Sequence, residues 1–312
     1  MSLAFGIASF IVGVLLIYFG SKKLVFSASG LADCINLHRV VVGTILVASV
    51  TSAPELLSSL ISALLGSSKM ALGNLLGSNI YNIPLIIGIC GLIEEFRIKN
   101  HAVGRECLIM IGLAALMGVL TALTGMVTWW IALIFLALYF IFIYYSIRKG
   151  NNGCHLSRPS KGMAKLAAVM ILGSAALVCG TFLLVYGVTA IAESFGLMHF
   201  YAGLTIMALG CVVPETAVSV AAALHGEQEI SIGNVIGDNI ITMTLVFGVV
   251  GLIRSFRVSL SEILLTVPFI FLMTSILYVM SRRSHKVTKA WSLAMLAIAA
   301  AAFIFETLYF VA

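Results

Sequence analysis

Residues 50–55 read Val50-Thr51-Ser52-Ala53-Pro54-Glu55, and residues 73–80 read Gly73-Asn74-Leu75-Leu76-Gly77-Ser78-Asn79-Ile80. Both stretches return 160 positions later without a gap, as Gly210-Cys211-Val212-Val213-Pro214-Glu215 and Gly233-Asn234-Val235-Ile236-Gly237-Asp238-Asn239-Ile240. The register holds further on, where Gly91-Leu92-Ile93 meets Gly251-Leu252-Ile253 and Phe96-Arg97 meets Phe256-Arg257. Roughly a third of positions from 33 to 97 are identical to their partners. Apolar helices resemble one another by chance, but chance does not match Pro, Glu, Asn and Arg in one register. The chain is an internal duplication.

Composition says what is duplicated. Of 312 residues, 61% are apolar and 10% charged, whereas a soluble domain is near half apolar and about a quarter charged. That excludes an ordinary soluble enzyme, a disordered chain and, despite a net charge of +6, a nucleic-acid binder. A membrane helix needs roughly 20 apolar residues. Apolar runs predict helices near 3–32, 39–65, 69–93, 106–124, 127–147, 164–193, 199–224, 229–253, 259–280 and 290–310. The first run has the length of a signal peptide but no basic stretch before it, and it recurs later in the chain, so it is read as a retained helix. The expected class is an all-α membrane protein of ten transmembrane helices in two inverted five-helix repeats. The expected units are 1–148 (repeat motif about 43–83), a cytoplasmic linker at 149–163, and 164–312 (repeat motif about 203–243). Five spans per half is an odd number, so the second half must enter the membrane from the opposite side.

Charge orients the chain. With the N-terminus outside, 13 of the 18 Lys and Arg residues fall in cytoplasmic loops. Only Lys69, Arg254 and Arg257 fall outside, and Lys22 and Lys23 lie within the first span. This positive-inside bias predicts a multi-pass protein of the cell membrane with both termini outside the cytoplasm. Its expected setting is the lipid bilayer, with no nucleic-acid partner. The six cysteines form no CxxC pair and read as small buried apolar residues. The six histidines lie near span ends and read as interfacial.

Nine of the 12 acidic residues, Glu106, Glu262 and Glu306 among them, read as loop or interfacial charges. Glu55, Glu215 and Asp238 do not. They lie inside apolar runs with no Lys or Arg nearby in their own helices. Three charges at a bilayer centre would cost roughly 8–10 kcal/mol uncompensated, so a polar cavity that binds a cation is expected. Protonated carboxyls that merely pack helices are the blander alternative. Pro54 and Pro214 remove helix hydrogen bonds from the carbonyls of Val50 and Gly210, and broken helices beside intramembrane acids offer carbonyl oxygens to ions. Thr51 and Ser52 share a face with Glu55, and Ala48 lies about one turn back on it. Asn74, Ser78 and Asn82 form a polar stripe that Asn234, Asp238 and Thr242 repeat in the second half. Carboxylate, amide, hydroxyl and carbonyl oxygens suit Ca²⁺ and also Na⁺. No His or Cys cluster suggests zinc or copper.

These motifs resemble the cation/Ca²⁺ exchanger superfamily, specifically its prokaryotic sodium/calcium exchanger branch. The resemblance covers the whole chain in architecture and about 100 residues in motif. It implies that Glu55 and Glu215 are the central Ca²⁺ ligands, completed by Thr51 and by the carbonyl of Cys211. It further implies one Na⁺ site from Ala48, Thr51, Ser52 and Ser78 with Glu215. A mirror Na⁺ site would use Ala208, Cys211, Val212 and Asp238 with Glu55. Asn82 and Thr242 complete the candidate ion-binding set. It also implies that the long first and sixth spans slide past the other eight. Three departures stand out: Cys211-Val212 replaces a Thr-Ser pair, Asp238 an expected Ser, and Thr242 an expected Asn or Asp.

The expected function is secondary antiport of Ca²⁺ against Na⁺ by alternating access at a midplane carboxylate site. The transported ions are Ca²⁺ and Na⁺, and no cofactor is expected. Exchange of Ca²⁺ or another cation against H⁺ is the alternative that Asp238 opens; a cation channel and an inactive relative are further ones. No hydrolase or zinc-protease motif supports an enzyme.

Overall fold

The computed structural model describes residues 3–32, 44, 48–98, 101–150, 163–224, 228–282 and 286–311. Nearly all of them are helical, because a helix satisfies its own backbone hydrogen bonds where lipid cannot. The helices are α1 (Leu3–Ala32), α2 (Ala48–Thr51), α3 (Ala53–Leu64), α4 (Ser68–Ile93), α5 (His101–Thr124), α6 (Trp129–Gly150) and α7 (Met163–Phe195). They continue as α8 (His199–Ala202), α9 (Ala208–Leu224), α10 (Gln228–Ile241), α11 (Phe247–Ile253), α12 (Leu260–Arg282) and α13 (Lys289–Val311). A wider π turn, Gly203–Met207, joins α8 to α9, and another, Thr242–Val246, joins α10 to α11. Nine stretches among the described residues are long and apolar enough to cross a membrane. The region expected at 39–65 falls short because its described part is divided at Ser52.

Several boundaries move. Helix α5 begins at His101 rather than near 106, which draws Arg105 and Glu106 into it. Lys149 and Gly150 complete α6 and Met163 opens α7; the rest of the expected linker, 151–162, lies outside the described residues. Cys90, Cys107 and Cys211 are buried free thiols as expected, but Cys179 is exposed.

The two longest helices form a pair. A Cβ added at Gly13 of α1 would lie 2.6 Å from the Leu184 backbone nitrogen, and one at Gly180 of α7 would lie 2.9 Å from the Gly13 carbonyl oxygen. Only glycine permits that approach, the small-residue logic of helix packing in lipid. Beneath the pair, Ile17, Leu184, Val185 and Val188 pack on Met70, Met207 and Cys211. The larger apolar core lies among the remaining helices, with Leu72, Ile83, Phe135, Phe247 and Met273 at its centre.

Two short antiparallel ladders tie the halves together. Strand β1 (Phe96–Arg97) pairs with β4 (Lys286–Val287), and β2 (Met126–Val127) pairs with β3 (Phe256–Arg257). In the 160-residue register β1 is equivalent to β3 and β2 to β4. Each half thus lends one strand to each ladder. At the first ladder Lys286 Nζ bonds Glu95 at 2.6 Å. That hydrogen bond, with one from the Lys289 N–H, holds the Glu95 carboxyl below the usual carboxylate range.

Candidate cation site

Helices α2 and α3 meet at Ser52, which keeps nearly helical angles (φ −72°, ψ −3°). The reason is local. Pro54, in the first turn of α3, lacks an N–H. The Ser52 backbone N–H bonds the Ala48 carbonyl at 2.8 Å and its hydroxyl reaches the same carbonyl at 2.7 Å, a side chain competing with the helix ladder. The second half was expected to break likewise. It does not: α9 runs unbroken through Pro214. Val212 stands where Ser52 does and has no hydroxyl to divert a carbonyl; a π turn at Gly203–Met207 precedes α9.

The breaks and stripes converge. Glu55, in the first turn of α3, Glu215 of α9 and Asp238 of α10 each bring a carboxylate oxygen within 4.8 Å of the other two. All three side chains are fully buried. The carboxyls of Glu55 and Glu215 face each other, and no other described side chain donates to them. Asp238 differs: Ser52 donates to one of its oxygens and the Asn82 amide to the other.

Around them lies a shell of polar groups. Thr51 Oγ1 donates to Asn234 Oδ1 at 3.0 Å, and Asn234 Nδ2 donates to Ser219 Oγ at 3.0 Å. Asn74 Nδ2 donates to Ser58 and Ser59, each at 2.9 Å. Asn74 Oδ1, however, has no partner. The residue in the mirror position of Thr51 is Cys211, whose thiol is a weak donor and lies 3.4 Å from the Ser58 hydroxyl instead. The replacement of Thr by Cys therefore leaves a buried amide oxygen free. Ser78 Oγ, Asn82 Oδ1 and Thr242 Oγ1 are free as well.

The resemblance groups Asp238 with Ala208, Cys211 and Val212 of its own half and with Glu55 of the other. Asp238 lies beside Glu55 and bonds Ser52 of the first half. The cause is packing: a Cβ on Gly237 would meet the Thr44 carbonyl at 2.3 Å and Ala48 Cβ at 2.8 Å, while one on Gly77 would meet the Leu204 carbonyl at 2.0 Å and Ala208 Cβ at 2.7 Å. The polar stripe of each half packs on the Pro-Glu motif region of the other. The Ala48 carbonyl already accepts from the Ser52 backbone N–H. Ala208 and Val212 are buried, and the Val212 side chain offers no oxygen.

Three carboxylates expected at interfaces are buried, Glu106, Glu262 and Glu306, and Glu262 is ion-paired with Lys69. Glu306 of α13 is fully buried and accepts from Tyr81 Oη at 2.6 Å, leaving Oε1 unpartnered. Glu106 is 1% exposed, with Thr44 as a partner and Oε2 free. Glu306 falls inside the run 290–310, the same signal that marked Glu55. Glu106 opened its expected run and became internal only when α5 started earlier.

The fold and the carboxylate cluster define a multi-span membrane protein with a buried, oxygen-rich candidate cation site shared between the repeats. The model for the sodium/calcium exchanger protein family matches residues 5–148 and again 165–308. The chain belongs to that family. It is 32% identical over 250 residues to the putative antiporter CaxA of Alkalimonas amylolytica, covering 77% of this chain and 78% of that one. It is 32% identical over 262 residues to the inner membrane protein YrbG of Escherichia coli, covering 79% of each. The sodium/calcium exchanger MaX1 of Methanosarcina acetivorans is 27% identical over 341 residues, covering 96% of this chain and 97% of that one. The solved structure of the sodium-calcium exchanger NCX_Mj superposes with a TM-score of 0.76 at 24% identity, covering 97% of this chain and 99% of that one, which shows a shared fold.

Proposed function

We propose that the protein is a secondary antiporter that exchanges Ca²⁺ for Na⁺ by alternating access, with Glu55 and Glu215 as the central Ca²⁺ ligands. One observation carries the reading: two buried glutamates, brought together from the two repeats, face each other and receive no hydrogen bond from any other described side chain. An unsatisfied buried carboxylate is costly, and a divalent cation between the two removes that cost. Thr51, Ser52, Ser78, Asn82, Asp238 and Thr242 add side-chain oxygens, and Ala48, Cys211 and Ala208 add carbonyls. The ions are cargo and no cofactor takes part. The architecture in this reading is ten spans in two inverted repeats, 1–148 and 164–312, with both termini outside the cytoplasm. The α1–α7 pair, seated on a core of its own, is the body that slides.

A second coupling ion is favoured by a specific observation. Asp238 adds a third carboxylate on the Ser52 side, while Val212 withdraws an oxygen from the mirror side. In this second reading H⁺ replaces Na⁺. Uptake of radiolabelled Ca²⁺ into proteoliposomes separates the readings. An outward Na⁺ gradient should drive uptake. Uptake driven by an outward H⁺ gradient alone would replace the first reading with the second, and no uptake under either would overturn both.

A further inference from the structure

Sequence charge left three basic residues on the sparsely charged side of the membrane, Lys69, Arg254 and Arg257. Two of them meet. A cavity of about 490 Å³ is lined by the turn Gly66–Lys69, by Met198, His199 and Phe200 before and within α8, by Arg254, Ser255 and Phe256, and by Glu262. It lies away from the buried carboxylates and shares no residue with them.

Its chemistry favours an anion. Both oxygens of Glu262 are taken by Lys69 Nζ, at 2.7 and 2.6 Å, and one also accepts the Ser259 N–H at 2.8 Å. That carboxylate is neutralised and committed to the start of α12. Arg254 is exposed and forms no ion pair among the described residues. A Cβ on Gly66 would lie 3.5 Å from Arg254 Nη1, so the guanidinium sits over the turn. Gly66 itself has φ +92°, a left-handed conformation that suits glycine.

The turn also ends in a helix N-terminus without a cap. Ser67 holds the N-cap position of the 26-residue α4 but makes no side-chain cap bond; its hydroxyl is 3.3 Å from His199 Nδ1 instead. The positive end of a long helix therefore opens on the cavity. An independent observation points the same way. Ser68, which lines the cavity and is 8% exposed, has a buried hydroxyl with no hydrogen-bond partner. The duplication adds a comparison: positions equivalent to Lys69 and Arg254 on the opposite face are Glu229 and Glu94. The basic character belongs to this face and is not imposed by the repeat.

We propose that this cavity binds a phosphate-bearing anion, held by Arg254, the Ser68 hydroxyl and the start of α4. Phosphate matches a guanidinium fork and a helix N-terminus together. The source is either a lipid headgroup or free phosphate. Leu64 and Leu65 before the turn and Ile253 and Leu260 beside the cavity are exposed apolar residues, where acyl chains would lie.

The test is the thermal unfolding of the purified full chain, titrated with phosphatidylglycerol, phosphatidylcholine or inorganic phosphate. Phosphatidylglycerol should raise the midpoint at lower concentration than phosphatidylcholine. Arg254→Gln should weaken that response about tenfold or more, and Ser68→Ala, which leaves charge unchanged, about two- to tenfold. A response to inorganic phosphate that is lost in both variants would assign the site to the free anion. Equal responses to the two lipids with none to phosphate, or an unchanged response in both variants, would overturn the proposal. Neither residue belongs to the cation site, so Ca²⁺ uptake in both variants reports separately on the exchanger reading.

Discussion

Glu55 and Glu215 hold equivalent positions in the two repeats and meet at one point, yet their helices treat them differently. Glu55 stands in the first turn of α3, just after the division at Ser52, and Glu215 in the unbroken α9. Glu55→Gln and Glu215→Gln should each abolish Ca²⁺ exchange while the protein stays folded. Removing one buried charge from such a group costs about 3–5 kcal/mol, a loss of at least ~100-fold in affinity. Near-normal Ca²⁺ uptake in both variants would end their assignment as ligands. Asp238 is held by Ser52 and Asn82 and so is less free to take a divalent ion. Asp238→Ser should shift the Na⁺ and pH dependence of uptake more than its Ca²⁺ dependence; unchanged Na⁺ and pH profiles would remove Asp238 from coupling. Tyr81→Phe tests a different point. It takes the one donor from Glu306 and should lower stability by about 1–3 kcal/mol, read as the unfolding midpoint in detergent, with transport retained.

At the scale of elements, the α1–α7 seam decides whether the pair can approach. Gly13→Val would place carbon where the Leu184 backbone nitrogen already lies 2.6 Å away. Backbone cannot yield as a side chain does, so overpacking of about 1–3 kcal/mol or more is expected. Transport should fall with it if the pair moves as one body. Gly112, where an added Cβ meets nothing within 4 Å, is the control: Gly112→Val should leave both stability and uptake near wild type. Equal behaviour of the two variants would show that the seam is not a close contact in the membrane.

At the scale of the molecule, the ladders give the proposed sidedness a direct test. Residues 126–127 pair with 256–257, and 96–97 with 286–287. The positive-inside bias places the first ladder outside and the second in the cytoplasm. In a chain stripped of its own cysteines, Met126→Cys should react with an impermeant thiol reagent added to intact cells. Lys286→Cys should react only after lysis. The reverse pattern would invert the orientation without touching the fold.

Much of this protein is written in its sequence. Apolar runs of membrane length locate the helices because a helix satisfies its own backbone hydrogen bonds in lipid. The gapless 160-residue register exposes the duplication. Glu55, Glu215 and Asp238 stand out because an uncompensated charge in such a run is too costly to be incidental. What the sequence does not contain is which side chain faces which across the repeats. Close packing at Gly77 and Gly237 crosses each stripe onto the other half, which puts Asp238 on Ser52. Cys211 in place of a threonine leaves Asn74 Oδ1 without the donor that Thr51 supplies to Asn234. The burial of Glu106 and the pairing of Glu306 with Tyr81 were decided in the same way. Periodicity along one chain carries helix positions and burial cost, whereas partners 150 to 230 residues apart are chosen by the three-dimensional fit of helices.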